Sequence, residues 1–138
     1  MTVARTKGWQ NRLTSYLTQS ARTPFEPGVH DCALFAAGAV AAMTGYDPAR
    51  AYRDRYTTVR GGVRILRKDG HADHIALAAS LFRARPPGEA AKPGDLAGIG
   101  TDGGHALGVV QGRAVYALSR SGLALVALPP DALIFAVP

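Results

Sequence analysis

The chain has 138 residues, which fits one ordinary domain, and we expect residues 1–138 to fold as a single unit. Hydrophobic residues make up 47% and charged residues 19%, a balance that excludes a disordered chain and permits a core without a stabilising metal. The net charge is +6. The single cysteine excludes an internal disulfide. No spacing typical of a zinc site is present, and we expect no cofactor.

The N-terminal segment predicts an amphipathic helix over residues 9–19, because apolar side chains recur there with helical spacing at Trp9, Leu13, Tyr16 and Leu17. No continuous apolar run precedes this helix, so we expect no signal peptide. The longest uncharged stretch, Cys32–Tyr46, is shorter than the roughly 20 apolar residues that cross a bilayer. We therefore expect no membrane span.

A second helix is predicted from Cys32, after a turn rich in proline and glycine. Its sequence is apolar on every face and rich in alanine, which is typical of a buried central helix, and Asp31 is placed to cap its N-terminus. A thiol in the first turn of a helix lies at the positive end of the helix dipole, which lowers its pKa and favours the reactive thiolate. Cys32 is therefore either a nucleophile or a small core residue.

The middle of the chain is basic, with seven basic and two acidic residues between Arg50 and Asp69. Such a segment either contacts an anionic polymer or forms a solvated helical face. No recognisable nucleic-acid motif accompanies it, so we expect no specific nucleic-acid partner. The pattern stays helical from Pro48 to Phe82 and is broken into short pieces by glycines.

The C-terminal part predicts five short strands separated by glycine-containing turns: Asp95–Ile99, His105–Gln111, Ala114–Leu118, Leu123–Leu128 and Leu133–Val137. Helices followed by strands predict an α+β fold, with the helix that carries Cys32 packed on a C-terminal antiparallel sheet.

His105 opens a strand, where a helix N-terminus packed on the sheet can reach it, so we expect it to be the base partner of Cys32. His30 is too close in sequence to curl back to the sulfur, and His71 and His74 are expected near the surface.

Three motifs resemble a known family. Phe-Glu-Pro-Gly-Val-His-Asp-Cys, residues 25–32, followed by an apolar helix, resembles the nucleophile segment of the NlpC/P60 superfamily of papain-like cysteine peptidases. Pro-Gly-Asp-Leu at residues 93–96 looks like that family's strand opening, and the segment from His105 looks like its His-x-Gly segment with one extra residue. Nearly the whole chain also resembles small proteins of this fold encoded by phages and gene-transfer agents.

The resemblance implies a cysteine amidase or endopeptidase that acts on the peptides of peptidoglycan. It also implies a virion component of the phage tail, made in the bacterial cytoplasm, whose partners are other tail or baseplate proteins. Cys32 would attack the carbonyl carbon, His105 would relay the proton, and the Cys32 N–H group would help to hold the oxyanion.

The third catalytic residue and the activity itself are left open by two departures from the family. The usual third residue, a histidine, would fall near Tyr116, and Gln111 or Ser119 are the other candidates for orienting His105. Phe25 lies near the position where the family has a tyrosine that assists at the oxyanion. The alternative is therefore a catalytically degraded member with a structural role in the tail tip or in tail assembly.

Overall fold

The computed structural model describes residues 3–138, and within them it has an α+β architecture of four helices and one six-stranded antiparallel sheet. The elements are α1 (Trp9–Ala21), α2 (Cys32–Thr44), α3 (Val59–Lys68), α4 (His74–Leu81), β1 (Arg83–Ala84), β2 (Leu96–Thr101), β3 (Gly104–Gln111), β4 (Ala114–Ser119), β5 (Gly122–Ala127) and β6 (Leu133–Ala136). The predicted α+β class is confirmed. No helix in this part of the chain has the length and apolar character needed to cross a membrane.

The strand order is β1-β6-β2-β3-β4-β5, so the last strand lies inside the sheet between β1 and β2. Strands β2 to β5 form a meander in which each strand pairs with the next, and Gly100 of β2 lies opposite His105 of β3. The five predicted strands agree with β2 to β6 to within one or two residues. Strand β1 was not predicted, because two residues are too few to carry an alternating pattern.

Helix α2 occupies the centre of the molecule, between α1 and the sheet strands β3 and β4. Phe35, Val40 and Met43 are fully buried there, which accounts for the absence of a polar face in its sequence. The absence of a side chain at Gly38 allows α1 and α2 to approach closely. A Cβ atom at this position would lie only 2.1 Å from the Tyr16 hydroxyl oxygen. That hydroxyl group donates a hydrogen bond of 2.8 Å to the Phe35 carbonyl oxygen.

The basic segment forms a linker and the exposed helix α3. Thr58 caps this helix by accepting a hydrogen bond from the Gly61 N–H group, and Gly62 is its one buried residue. The basic side chains of α3 are solvent-exposed: Arg60, Arg64, Arg67 and Lys68. The fold therefore presents these four positive charges on a solvated helical face.

Candidate functional site

The first residues of two helices bring a thiol and an imidazole into contact. Cys32 is the first residue of α2 and His74 is the first residue of α4. The Cys32 Sγ atom lies 4.0 Å from His74 Nε2. Each helix starts on an aspartate cap, because Asp31 accepts from the Leu34 N–H group and Asp73 accepts from the Ala76 N–H group.

The turn before Cys32 is fixed by a second set of hydrogen bonds to Asp31. The Gly28 N–H group donates to Oδ2 at 3.0 Å, and the Tyr56 hydroxyl group donates to the same oxygen at 2.5 Å. Gly28 has φ +83°, and a Cβ atom there would lie 1.9 Å from the Tyr56 carbonyl oxygen. Only glycine fits this position, so it sets the direction from which the chain enters α2.

The surroundings of the pair favour the neutral forms of both groups. Burial raises the pKa of the Cys32 thiol, with the main-chain N–H group of Leu107 as the largest opposing effect. Burial also lowers the pKa of His74, partly offset by Asp73 and by the main-chain carbonyl group of His105. The direction for Cys32 is opposite to the lowered pKa expected from the helix N-terminus, because the tertiary structure partly shields the sulfur from water.

Two pockets meet at this pair. The first has a volume of about 110 Å³ and is lined by Cys32 itself, with Phe25, Val59 and Val63 among its other walls. The second is an apolar cavity of about 70 Å³ between the helices and the sheet. The two pockets share five lining residues: Ala33, Tyr56, Gly62, Leu66 and His74.

The first two N–H groups of α2 belong to residues that line the first pocket. Among residues 3–138, the N–H groups of Cys32 and Ala33 bond no oxygen atom, since the Asp31 side chain bonds Leu34 and its carbonyl oxygen bonds Phe35, and both act on the Cys32 sulfur by lowering the pKa of its thiol. Free N–H groups at a helix N-terminus bind anions well. A tetrahedral oxyanion formed on a carbonyl beside Cys32 would find donors here.

His105, the base predicted for Cys32, is exposed at the start of β3. Its main-chain carbonyl group and its ring both act on the pKa of His74, so the two histidines are neighbours. The structure thus gathers Cys32, His74 and His105 at one end of the sheet, with His74 rather than His105 in contact with the sulfur. The catalytic role assigned to His105 stays a prediction.

The three candidates for the orienting residue lie elsewhere. Gln111 is at the opposite end of β3 from His105, six residues along the strand, or about 20 Å at the usual strand rise. Tyr116 lines a surface cavity against α1 together with Gln111. The Ser119 hydroxyl group is bonded within the β4–β5 turn, to the N–H group of Ser121 and the carbonyl oxygen of Gly122. None of the three lines either pocket at Cys32.

Sequence reasoning missed His74 and Tyr56. The available signal for His74 was the repeat of one local pattern, since Asp73-His74 precedes an apolar helix in the same way as Asp31-Cys32 does. Tyr56 offered no signal, because its bond to Asp31 joins residues 25 positions apart. Burial and the bond to Asp31 raise the pKa of Tyr56, so this hydroxyl group stays a donor to the cap.

The fourth histidine is buried behind the site. His30 packs edge-on against Phe35, its Nε2 atom has no hydrogen-bond partner among the described residues, and burial lowers its pKa. Within residues 3–138, no group of three or more histidine, cysteine, aspartate or glutamate side chains is arranged to hold a metal ion.

A family model described as "Domain of unknown function (DUF6950)" matches residues 4–137. Neither the search of the curated proteins nor the search of the solved structures gives a match to the chain. The family match covers the helices, the sheet and all of the residues of the site described above. It assigns no reaction to them.

Proposed function

Because this chain belongs to the DUF6950 family, whose description names no activity, we propose from its geometry that it is a thiol-dependent hydrolase of the NlpC/P60 type. The observation that carries the proposal is the contact of Cys32 Sγ with His74 Nε2 at the meeting point of two helix N-termini. Cys32 is the nucleophile and His74 is the base. This replaces His105 in the role that the sequence suggested.

The reaction starts from a neutral thiol and a neutral imidazole. As Cys32 Sγ attacks the carbonyl carbon, its proton passes to His74 Nε2, and the imidazolium then protonates the leaving amine. Water attacks the resulting thioester and gives its proton to His74, and the thiol is restored when the carboxylic acid leaves. The main-chain carbonyl group of His105 supports the protonated imidazole during both steps.

The oxyanion of each tetrahedral intermediate would be held by the N–H groups of Cys32 and Ala33. Both lie at the positive end of the α2 dipole, and neither bonds an oxygen atom of residues 3–138. Tyr56 does not take the place of the tyrosine that Phe25 lacks, since its hydroxyl group is bonded to Asp31. The main chain would therefore carry the oxyanion without a tyrosine.

We propose cell-wall peptides as the substrate and a phage tail as the setting, both on the strength of the resemblance to NlpC/P60 proteins. The net charge of +6 and the exposed basic face of α3 suit an anionic cell-wall polymer. Other tail or baseplate proteins would be the partners of such an enzyme. The proposed substrate and setting do not depend on which residues carry out the reaction. The digestion experiment below tests the substrate and the catalytic residues together.

The test is digestion of purified peptidoglycan and of its isolated stem peptides, with products identified by mass spectrometry. We expect cleavage by the wild type, none by Cys32→Ser, and a loss of roughly 100-fold or more in His74→Gln, because a general base contributes at least that much. His105→Ala keeps its main-chain carbonyl group and is expected to retain most of the activity.

His71→Ala is the matched control, because His71 precedes α4 and lines neither pocket at Cys32. Loss of activity in His105→Ala with full activity in His74→Gln would contradict the role of His74 and return the dyad to Cys32 and His105. Cleavage by Cys32→Ser at the wild-type rate would end the proposal altogether.

A structural role in the phage tail is the second candidate, and one observation favours it. Strand β5 is an edge of the sheet, has no charged residue, and leaves Leu125 53% and Val126 43% exposed. An uncharged, apolar edge strand is ready to pair with another chain. Absence of cleavage together with a Cys32 that reacts only after unfolding would favour this candidate.

A further inference from the structure

The apolar cavity beside His74 takes no part in the reaction steps proposed above, yet it adjoins the reactive pair. It shares Ala33, Tyr56, Leu66 and His74 with the pocket that holds Cys32. The two spaces therefore share a wall. His74, whose Nε2 atom contacts the Cys32 sulfur, is part of that wall.

The lining of the cavity selects against charge. Helix α2 contributes alanine and leucine side chains, α4 contributes Leu77, Ala78 and Leu81, and the sheet contributes Leu96 and Leu107. Within residues 3–138, no acidic or basic side chain apart from His74 lines it. A charged group that entered it would lose its hydration without gaining a partner.

The two tyrosines of the lining present little polarity to the cavity. The Tyr52 hydroxyl group donates to Asp69 at 2.9 Å, and the Tyr56 hydroxyl group donates to Asp31. Neither aspartate lines the cavity. The hydroxyl groups are thus bonded to carboxylates outside it.

Resting on the proposed function, we propose that this cavity is the specificity pocket of the enzyme and binds an uncharged aliphatic group on the acyl side of the substrate. Its volume of about 70 Å³ is about half that of an apolar cavity that holds benzene. It therefore fits a group of about three or four carbons, the size of a branched aliphatic side chain.

The test uses alkyl methanethiosulfonates of increasing length on the intact protein, so it does not depend on hydrolysis. In each reaction the Cys32 sulfur bonds to the alkylthio sulfur, the S–S bond of the reagent breaks, and methanesulfinate leaves with the electron pair. The thiol proton passes to solvent. Each rate is divided by that of the urea-unfolded protein, which removes the intrinsic reactivity of the reagent.

We expect the normalised rate to rise roughly fourfold per methylene from methyl to propyl, as burial of each methylene predicts, and then to level off. The anionic sulfonatoethyl reagent should react more slowly than propyl. Ala78→Leu, which fills the cavity, should flatten the series. Leu77→Ala, which enlarges it, should move the plateau to longer chains, and the exposed β5 variant Leu125→Ala should change neither.

A flat or falling series in the wild type overturns the pocket, as does a Cys32 that reacts only in urea. If Ala78→Leu does not fold, Leu77→Ala decides: an unmoved plateau also overturns the pocket. A dependence on chain length without any hydrolysis would keep the pocket and remove the hydrolase. Hydrolysis of the cell-wall peptides together with a rate that does not depend on chain length would keep the hydrolase and remove the pocket.

Discussion

At the scale of single residues, two effects oppose one another at Cys32. A helix N-terminus stabilises an adjacent anion by about 0.3–1 kcal/mol, and up to about 2 kcal/mol in partly buried sites. Full burial can change the free energy of ionisation by several times that amount, and partial burial, as at Cys32, by less. The larger effect decides the direction, and burial raises the pKa of this thiol.

The pH dependence of Cys32 alkylation by iodoacetamide tests that balance. We expect an apparent pKa above the free-thiol value of about 8.5, because burial disfavours the thiolate. The rate should therefore be low at neutral pH and rise as the pH rises through that raised value. In His74→Gln the neutral-pH rate should fall further, since no imidazole accepts the proton.

His71→Ala provides the control and should match the wild type at every pH. An apparent pKa well below about 8.5 in the wild type that His74→Gln raises would contradict the neutral pair. The resting state would then be a thiolate beside an imidazolium, as the position of Cys32 on its helix first suggested.

At the scale of elements, Tyr56 ties the segment before α3 to the start of α2. Its hydroxyl group donates to the buried Asp31, and its ring lies against α3, where a Cβ atom at Gly62 would come within 2.9 Å of it. A hydrogen bond to a charged group contributes more than one between neutral groups. This contact holds the cap of the helix that carries Cys32.

Tyr56→Phe is therefore expected to lower the free energy of unfolding by about 1.5–3 kcal/mol, measured by urea denaturation. Tyr52→Phe is the matched control, because it removes the same hydroxyl group from a bond to an exposed aspartate, Asp69. Its loss should be clearly smaller. Equal losses in the two variants would mean that the Asp31 bond carries no special share of stability.

At the scale of the whole molecule, one buried carboxylate binds groups at four positions along the chain, from Arg5 to Val137. Asp95 is fully buried and accepts from Arg85 Nε at 2.7 Å and from the Lys92 N–H group at 2.8 Å. Its other oxygen lies 3.6 Å from the Arg5 guanidinium group and accepts from the Val137 N–H group. The aspartate of the Pro-Gly-Asp-Leu motif thus connects both ends of the chain to the sheet.

Asp95→Asn is expected to lower the free energy of unfolding by about 3–5 kcal/mol, because it removes the anionic partner of a buried ion pair and leaves Arg85 with only the exposed Glu89 as a charged partner. Urea denaturation measures this loss. Glu89→Gln removes an exposed carboxylate that also pairs with Arg85 and should have little effect. A small loss in Asp95→Asn would show that the motif is not a stability centre.

Local pattern determined much of this protein. The alternation of apolar residues located β2 to β6, and the uniformly apolar run after Asp31 identified α2 as the buried helix, since both signals depend on neighbours along the chain. The same reasoning placed Cys32 at a helix N-terminus. The strands follow from a period of 2 residues and α2 from a run that is apolar on every face, and both signals can be read from neighbouring residues alone.

Only the tertiary structure decided which histidine meets the thiol, how Asp95 is used and that β6 enters the sheet beside β2. Cys32 and His74 are 42 positions apart, and their contact depends on how α2 and α4 each pack against β3. Burial of the sulfur, which reverses the direction expected for its pKa, likewise comes from the elements packed around it. Contacts between distant segments leave no periodic trace in sequence, because they depend on how whole elements fit together.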